Sequence, residues 1–395
     1  VTTGTFTIPL MRKIGYSREF SGAVEAAASV GGQILPPVMG AAAFIMSEML
    51  GIPYRDIALA ATLPALLFYL GIIIQIHLRA TKDGLKGISR ENLPEVRAVL
   101  AERGHLLLPL LFLMYMLFFS GRTIIYSAFL TIIVTVVVAM LRPSTRLTLR
   151  DLFAALEDGA RSAVPVAVAC ASVGIVVGIA TQTGFGLKLA NGIVLLGGES
   201  LFLTLIFTML ACMVLGMGLP SIPTYIITAT IAGPALIKIG IQPLVAHLFV
   251  FYFGIFANIT PPVALASFAA AGISGGDQMK TGFMSMKLAI AGFIVPYIFV
   301  YNNSLLLLNT DLLHGTIVAL TSITGVVMLG AAAEGFFFAE IHVLLRVLLA
   351  GGAMCFMTPN LLQDLVGTGI ACLVMVIQWR KAGKIKGVAV SQAGM

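Results

Sequence analysis

Polar residues punctuate this chain, separating long apolar runs from one another. Such runs cover approximately residues 19–48, 56–78, 104–120, 123–141, 163–183, 200–237, 244–271, 283–301, 314–331, 341–357 and 361–379. Several approach or exceed the roughly 20 apolar residues that a helix needs to cross a hydrocarbon layer. Three runs are interrupted from within. Gly31-Gly32-Gln33-Ile34-Leu35-Pro36-Pro37 splits the first, and Phe256-Ala257-Asn258-Ile259-Thr260-Pro261-Pro262 splits the run at 244–271. Gly216-Met217-Gly218-Leu219-Pro220-Ser221-Ile222-Pro223-Thr224 divides 200–237 into two arms, each too short for a comfortable crossing. The pattern predicts an all-α polytopic membrane protein with broken transmembrane helices and a re-entrant hairpin.

The interruptions repeat. Pro9, Lys13, Ile14 and Gly15 recur as Pro234, Lys238, Ile239 and Gly240, and Pro36-Pro37-Val38 recurs as Pro261-Pro262-Val263, at one offset of 225 residues. With Thr3/Thr228, Thr5/Thr230, Ile34/Ile259 and Ala41/Ala266 this makes 11 identities between residues 1–44 and 226–269, and Gln33 faces Asn258. Matched Ala or Ile means little in so apolar a chain. Matched prolines mean more, because proline removes a backbone donor and clashes with the preceding turn. By the same offset, residues 1–9, with Thr2, Thr3, Thr5 and Thr7, form the second arm of a first hairpin.

Composition agrees with a membrane protein: 59% of residues are hydrophobic, 10% are charged, and mean hydropathy is +1.02. A soluble chain carries about 25% charged residues. The net charge of +7 does not indicate nucleic-acid binding, because the basic residues sit in short loops between spans. Cys170, Cys212, Cys355 and Cys372 lie singly in apolar segments and read as buried structural thiols. The chain opens at Val1 inside a Thr/Gly-rich motif without a signal-peptide layout, so a C-terminal piece of a longer protein is expected.

Charge sets orientation. Threading the runs places 12–18, 79–103, 142–161, 272–287 and 380–386 on one side, with 19 of the 24 basic residues. The other side holds Arg55, Arg122, Lys188 and Lys238, and Arg346 falls within a run. The positive-inside rule makes the first side cytoplasmic, the C-terminus included. Lys13 and Lys238 then lie on opposite faces, so the two repeats are inverted, as in carriers that place substrate and ion at the midplane.

Irregular backbone at membrane depth survives only where it is buried in protein or lines a cavity. Carbonyls ending a half-helix suit a small cation such as Na⁺, and amides beginning one suit a carboxylate. The competing reading is a pair of proline kinks serving packing, which two breaks in register make harder to hold. Glu25, in the first half of a broken run, is either a proton carrier or an interfacial acid. Glu48 reads as interfacial, His247 as a packed or substrate-lining residue, and Leu149–Ala160 as a cytoplasmic amphipathic helix. Glu334 and Glu340 flank an interfacial loop with aromatic anchors, Phe336 to Phe338. No HExxH, GxSxG or intramembrane Asp pair supports an enzyme. A channel or scaffold remains the rival to a carrier.

The stretches TTGTFTIPLMRKIGY, EAAASVGGQILPPVMGAAAFIMSE, GMGLPSIPTYIIT and NITPPVALASFAAAGI resemble the large permease subunit of TRAP (tripartite ATP-independent periplasmic) transporters. They look most like the fused type that works with a TAXI-class periplasmic binding protein. The resemblance covers about residues 1–300. It implies an elevator-type ion-transporter-like fold, in a bacterial or archaeal cytoplasmic membrane, importing a small organic acid by sodium symport, or with protons in some relatives. The implied ion sites use main-chain oxygens near Gly31, Gln33 and Pro36, and near Phe256, Asn258 and Pro261, each closed by a hairpin tip such as Gly216 and Gly218. Substrate contacts fall to Ser29, Gly32, Ser221, Thr224, Thr260 and Ser267, with no cofactor or metal beyond the coupling ion. On this reading 1–48 and 163–303 form the transport domain, 49–162 the scaffold, and 304–395 a membrane extension without assigned chemistry.

Overall fold

The repeat visible in the sequence returns as helices. In the computed structural model, which describes residues 2–87, 95–198, 200–308, 310–357 and 361–393, no extended strand forms among the described residues. Val1, Arg90 of the basic loop at 79–103 and the side chains of Lys384 and Lys386 in the basic segment at 380–386 lie outside them. The first repeat consists of α1 (Gly4–Ile14), α2 (Arg18–Gly31), α3 (Ala41–Leu50) and α4 (Tyr54–Lys82). Next come α5 (Val96–Arg103), α6 (Leu108–Phe118), α7 (Ile124–Met140), α8 (Leu149–Gln182) and α9 (Phe185–Gly197). The second repeat holds α10 (Leu201–Gly216), α11 (Ser221–Ile231), α12 (Gly233–Lys238), α13 (Pro243–Phe256), α14 (Leu265–Ser274), α15 (Gln278–Leu288) and α16 (Ile290–Tyr301). The chain closes with α17 (Leu312–Glu334), α18 (Val343–Met354) and α19 (Leu361–Ala393).

Helices α2 and α13 match end to end at the 225-residue offset, and Gly15 and Gly240 both turn with positive φ, 120° and 92°. The peptide bonds Pro36–Pro37 and Pro261–Pro262 are both cis. Beyond them the offset is not constant, which corrects the gapless alignment. Helix α3 starts at residue 41 and α14 at 265, so the second repeat is one residue shorter there. The extra residue falls beside Met39, whose φ of 53° is unusual for a side chain with a Cβ. The shift pairs Phe44 with Phe268 and the left-handed helix caps Gly51 with Gly275, and it removes Ala41/Ala266 as an equivalence.

The repeats are inverted relative to each other. Arg12 and Arg18, at the entry to α2, donate to the carbonyls of Ser274 (3.3 Å) and Gly275 (3.4 Å) at the exit of α14. Asp277 donates its amide to Glu19 nearby. A start against an end means that the two broken helices run antiparallel, and cations on a helix C-terminus are favourable in themselves. The hairpin arms respect the same exchange: α1 packs on α2 and α14, whereas α11 packs on α13 and α3.

Six helical stretches among the described residues are long and apolar enough to span a membrane. Helix α8 joins the expected amphipathic segment and the run at 163–183 into one helix of 34 residues. At 1.5 Å per residue that is about 51 Å, well beyond the roughly 30 Å hydrocarbon layer. A capping box fixes its start: Thr148 Oγ1 accepts from the Asp151 amide, and Asp151 accepts from the Thr148 amide. Only Val173 and Ala180 of α8 are buried, and α7 turns Ile125, Phe129 and Ile132 outward, as hydrocarbon-facing helices do. The 13-residue α9 was not anticipated from sequence.

Helix α4, grouped by sequence with 49–162, belongs to the central core. It packs on α2, α16 and α17, and its Phe68 is fully buried. Helices α15 and α16 break at Ala289, where the buried Gln75 of α4 donates to the carbonyl of Leu288 at 2.8 Å. A smaller core joins Leu78 to Met328, Leu329, Leu349, Phe356 and Val374 of the C-terminal helices. Arg346 is not a mid-span charge: it reaches from the first turn of α18 to cap α17 through the carbonyls of Ala332 and Ala333. Of the four cysteines, all free, only Cys212 is buried; Cys372 is exposed, which corrects the expectation for that thiol.

Candidate functional site

At the first break, α2 ends because the chain turns on itself before the prolines. The carbonyl of Gly31 accepts from the amides of Ile34 (3.0 Å) and Leu35 (3.2 Å), and that of Gln33 accepts from Gly40 (2.8 Å). Two tyrosines of α4 finish the loop. Tyr54 donates to the carbonyls of Pro37 and Val38, at 2.8 and 2.9 Å, and Tyr69 to that of Ala28 at 2.8 Å. The main-chain oxygens of Gly31 and Gln33 therefore already have donors. Those of Gly32 and Pro36 accept no amide in the loop. The side-chain oxygen Oε1 of Gln33 is buried without a donor, a state that costs free energy when nothing meets it. Ser29 and Gly32 are exposed.

The second break is closed by a threonine. Thr260 Oγ1 donates to the carbonyl of Phe256 at 2.8 Å, and its amide to Ala257 at 3.3 Å. Thr260 and the oxygen of Phe256 are thus engaged with each other. Asn258 is buried, and its amide side chain makes no hydrogen bond. Pro261 lies against Gly282 of α15, where a Cβ would come within 2.8 Å of its ring. Ser267 is drawn away from the break: it is fully buried and donates to Ser285 of α15 at 2.9 Å.

The hairpin of α10 and α11 sets its tip on this second break. A Cβ on Gly216 would lie 2.7 Å from the carbonyl oxygen of Gly254, so only glycine permits that approach. Gly218 turns with φ 75° beside Val263. Thr224 presses its methyl group between Gly216 and Gly254 while its hydroxyl donates to the carbonyl of Leu219 at 3.1 Å. Ser221 opens α11, half-buried and without a side-chain bond. The structure thus brings together Gly216, Gly218, Thr224, Phe256 and Asn258, and separately Gly31, Gln33 and Pro36.

Phe68 joins the two groups. Its ring stacks on Phe256 with centroids 5.5 Å apart, and a Cβ on Gly31 would meet it at 2.4 Å. The ends of α2 and α13 therefore meet across one aromatic wedge. Each hairpin arm is also tied to its own broken helix by a polar contact. Thr3 and Thr7 of the α1 segment donate to the buried carboxylate of Glu25, and Tyr225 bonds His247 Nδ1 at 2.6 Å. His247 is a packed residue in this arrangement.

Sequence reasoning missed Tyr54, Phe68, Tyr69 and Gln75, which share α4. Tyr69 and Gln75 gave one signal, polar groups inside an apolar run, whose partners lie on other helices; Phe68 gave none, and Tyr54 precedes that run. It also placed Glu334 in an interfacial loop. That carboxylate is buried against Lys287, 2.7 Å away.

A family model described as the tripartite ATP-independent periplasmic transporter, DctM component, matches residues 1–311. A comparison with curated proteins finds no match.

Proposed function

We propose a function for this chain from one premise: it belongs to the tripartite ATP-independent periplasmic transporter family, as its DctM component. That family consists of transporter permeases rather than enzymes, and its members work with a periplasmic substrate-binding partner and a small substrate. The finer reading is ours. The chain imports a small organic acid, handed over by a TAXI-type binding protein, across a bacterial or archaeal cytoplasmic membrane and down a sodium gradient.

The observation that carries this reading is the hairpin tip seated on the second break, Gly216 against Gly254, with Gln33 Oε1 lacking a donor at the first break and the buried Asn258 side chain making no hydrogen bond at the second. Gln33 Oε1 and the carbonyls of Gly32 and Pro36 offer oxygens to Na⁺ at the first break; Asn258 does so at the second. Hard oxygen donors of this kind suit a small alkali cation. The amides opening α3, α11 and α14 are left for a carboxylate. In an elevator, α4 would travel with the hairpins and broken helices, since Phe68 is wedged between them. Helices α7 and α8, exposed over most of their length, would supply the static part together with α6, which packs on α7.

The test is uptake into proteoliposomes holding the full-length permease and its binding protein. An imposed sodium gradient should drive accumulation, and a pH gradient alone should not. A second reading, proton coupling, draws support from the buried Glu25 carboxylate held by Thr3 and Thr7. Uptake driven by a pH gradient in sodium-free buffer, and lost in Glu25→Gln, would favour protons and remove sodium from the mechanism.

A further inference from the structure

A cavity of about 690 Å³ opens beside the C-terminal ends of α4 and α17, lined by Arg79, Lys82, Lys287, Glu334 and Arg346. It lies on the face where α2 begins, because the Arg79 guanidinium sits over the Phe20 ring, 5.8 Å from its centroid. That is also the face of Arg12, Arg18 and Lys381, the basic side of the protein.

Counting partners shows how little of this charge is neutralised. Lys287 pairs with Glu334 at 2.7 Å, and the Glu334 side chain is only 1% exposed. Arg79 pairs with Asp83 at 2.7 Å and stands 4.0 Å from Glu334. Arg346 gives its donors to the carbonyls of Ala332 and Ala333, with no carboxylate beside it. Lys82 is exposed and makes no bond. Four cations thus face two carboxylates. Lys280 and Glu19 border an adjoining cavity together with Lys287 and add one charge of each sign.

The same lining carries apolar side chains, Met286, Ile290 and Phe293. Phe293 in turn packs on Phe256, 5.2 Å between centroids, at the edge of the second break. Cations and apolar side chains sharing one lining match an amphiphile with an anionic head, and basic pockets between helices on the cytoplasmic side hold phosphate head groups.

We propose that this cavity binds the phosphate head group of an anionic phospholipid from the adjoining leaflet. Arg79, Lys82, Lys287 and Arg346 would face the phosphate, and Met286, Ile290 and Phe293 the start of an acyl chain. The site lies where α17 and α18 meet α4, α15 and α16, so a bound lipid would bridge the C-terminal helices to the central core. It does not depend on which ion drives transport.

The experiment is thermal unfolding of the purified full-length chain in a neutral detergent, titrated with dihexanoyl phosphatidylglycerol, dihexanoyl phosphatidylcholine or sodium phosphate. Phosphatidylglycerol should raise the unfolding midpoint saturably, and the other two should not. Lys82→Gln should raise the half-saturating lipid concentration about fivefold, the effect of one surface cation. Lys188→Gln, on an exposed residue of α9, should leave it unchanged. Equal stabilisation by phosphatidylcholine, or an unaltered titration in Lys82→Gln, would overturn the site. A rise with sodium phosphate alone would overturn the lipid assignment in favour of a soluble anion.

Discussion

Gly31 and Gly32 are neighbours in the first break, yet an added methyl group should act on them very differently. At Gly31 a Cβ would stand 2.4 Å from Phe68 Cε1, 2.9 Å from Cδ1 and 3.0 Å from Tyr69 Cζ. Carbon atoms in contact prefer about 3.5–4.0 Å, so the Phe68 ring would have to retreat by roughly 1 Å. It has nowhere to go. Phe256 stacks on it, and Gly292 lies so close that a Cβ there would reach both rings within 2.5 Å. Overpacking of this kind costs about 1–3 kcal/mol. At Gly32 the backbone is helical, with φ −59° and ψ −21°, and the nearest atom to a new Cβ is the Ser29 oxygen at 3.3 Å. Gly32→Ala should be neutral or stabilise by about 0.4–1 kcal/mol, through the unfolded chain. Thermal unfolding of the purified protein separates the two: Gly31→Ala should melt several degrees lower and Gly32→Ala no lower than wild type. Phe68→Leu should be less harmful in the Gly31→Ala background than alone, because the smaller side chain accepts the methyl group. Wild-type melting of Gly31→Ala, or additivity of the two changes within about 0.5 kcal/mol, would refute the wedge. The distinction also sharpens the ion test, since a raised sodium requirement in Gly31→Ala reports displaced packing unless Gly32→Ala shares it.

Gln33→Ala and Asn258→Ala should each weaken uptake by about threefold to a hundredfold with little loss of expression, the range for one hydrogen bond to a neutral or charged partner; wild-type uptake in both would make the breaks packing kinks. Single cysteines at Ile14 and Ile239 should label from opposite sides of the membrane, and labelling from one side would end the inverted-repeat argument. Gln75→Leu should destabilise by about 1–3 kcal/mol, because the Leu288 carbonyl at the Ala289 break loses its buried donor; an unchanged melt would show that this carbonyl finds another partner.

The breaks were legible in the sequence because proline's missing amide acts on its own turn, whatever surrounds it. The inversion was legible because Lys and Arg record which face of a membrane a loop occupies, and Arg12 and Arg18 now sit against the end of α14. The repeat register was legible only up to the prolines. After them both copies are rich in alanine, where any alignment finds matches, and the one-residue slip at Met39 showed only in the helix starts.

Tertiary structure decided which oxygens of the breaks are free, because their donors come from elsewhere. Tyr54 and Tyr69 arrive from α4, and Gly40 folds back over Gln33. Phe68 looks like any other apolar residue until the ends of α2 and α13 close around it. Glu334 ends a helix that the family match does not reach, and read as an interfacial acid. Its burial depends on Lys287, 47 positions earlier, being carried to the same depth by α15. Chain chemistry within one or two turns sets where this protein's helices stop. Side chains delivered by distant helices determine what the interrupted backbone can still bind, and no local pattern encodes that meeting.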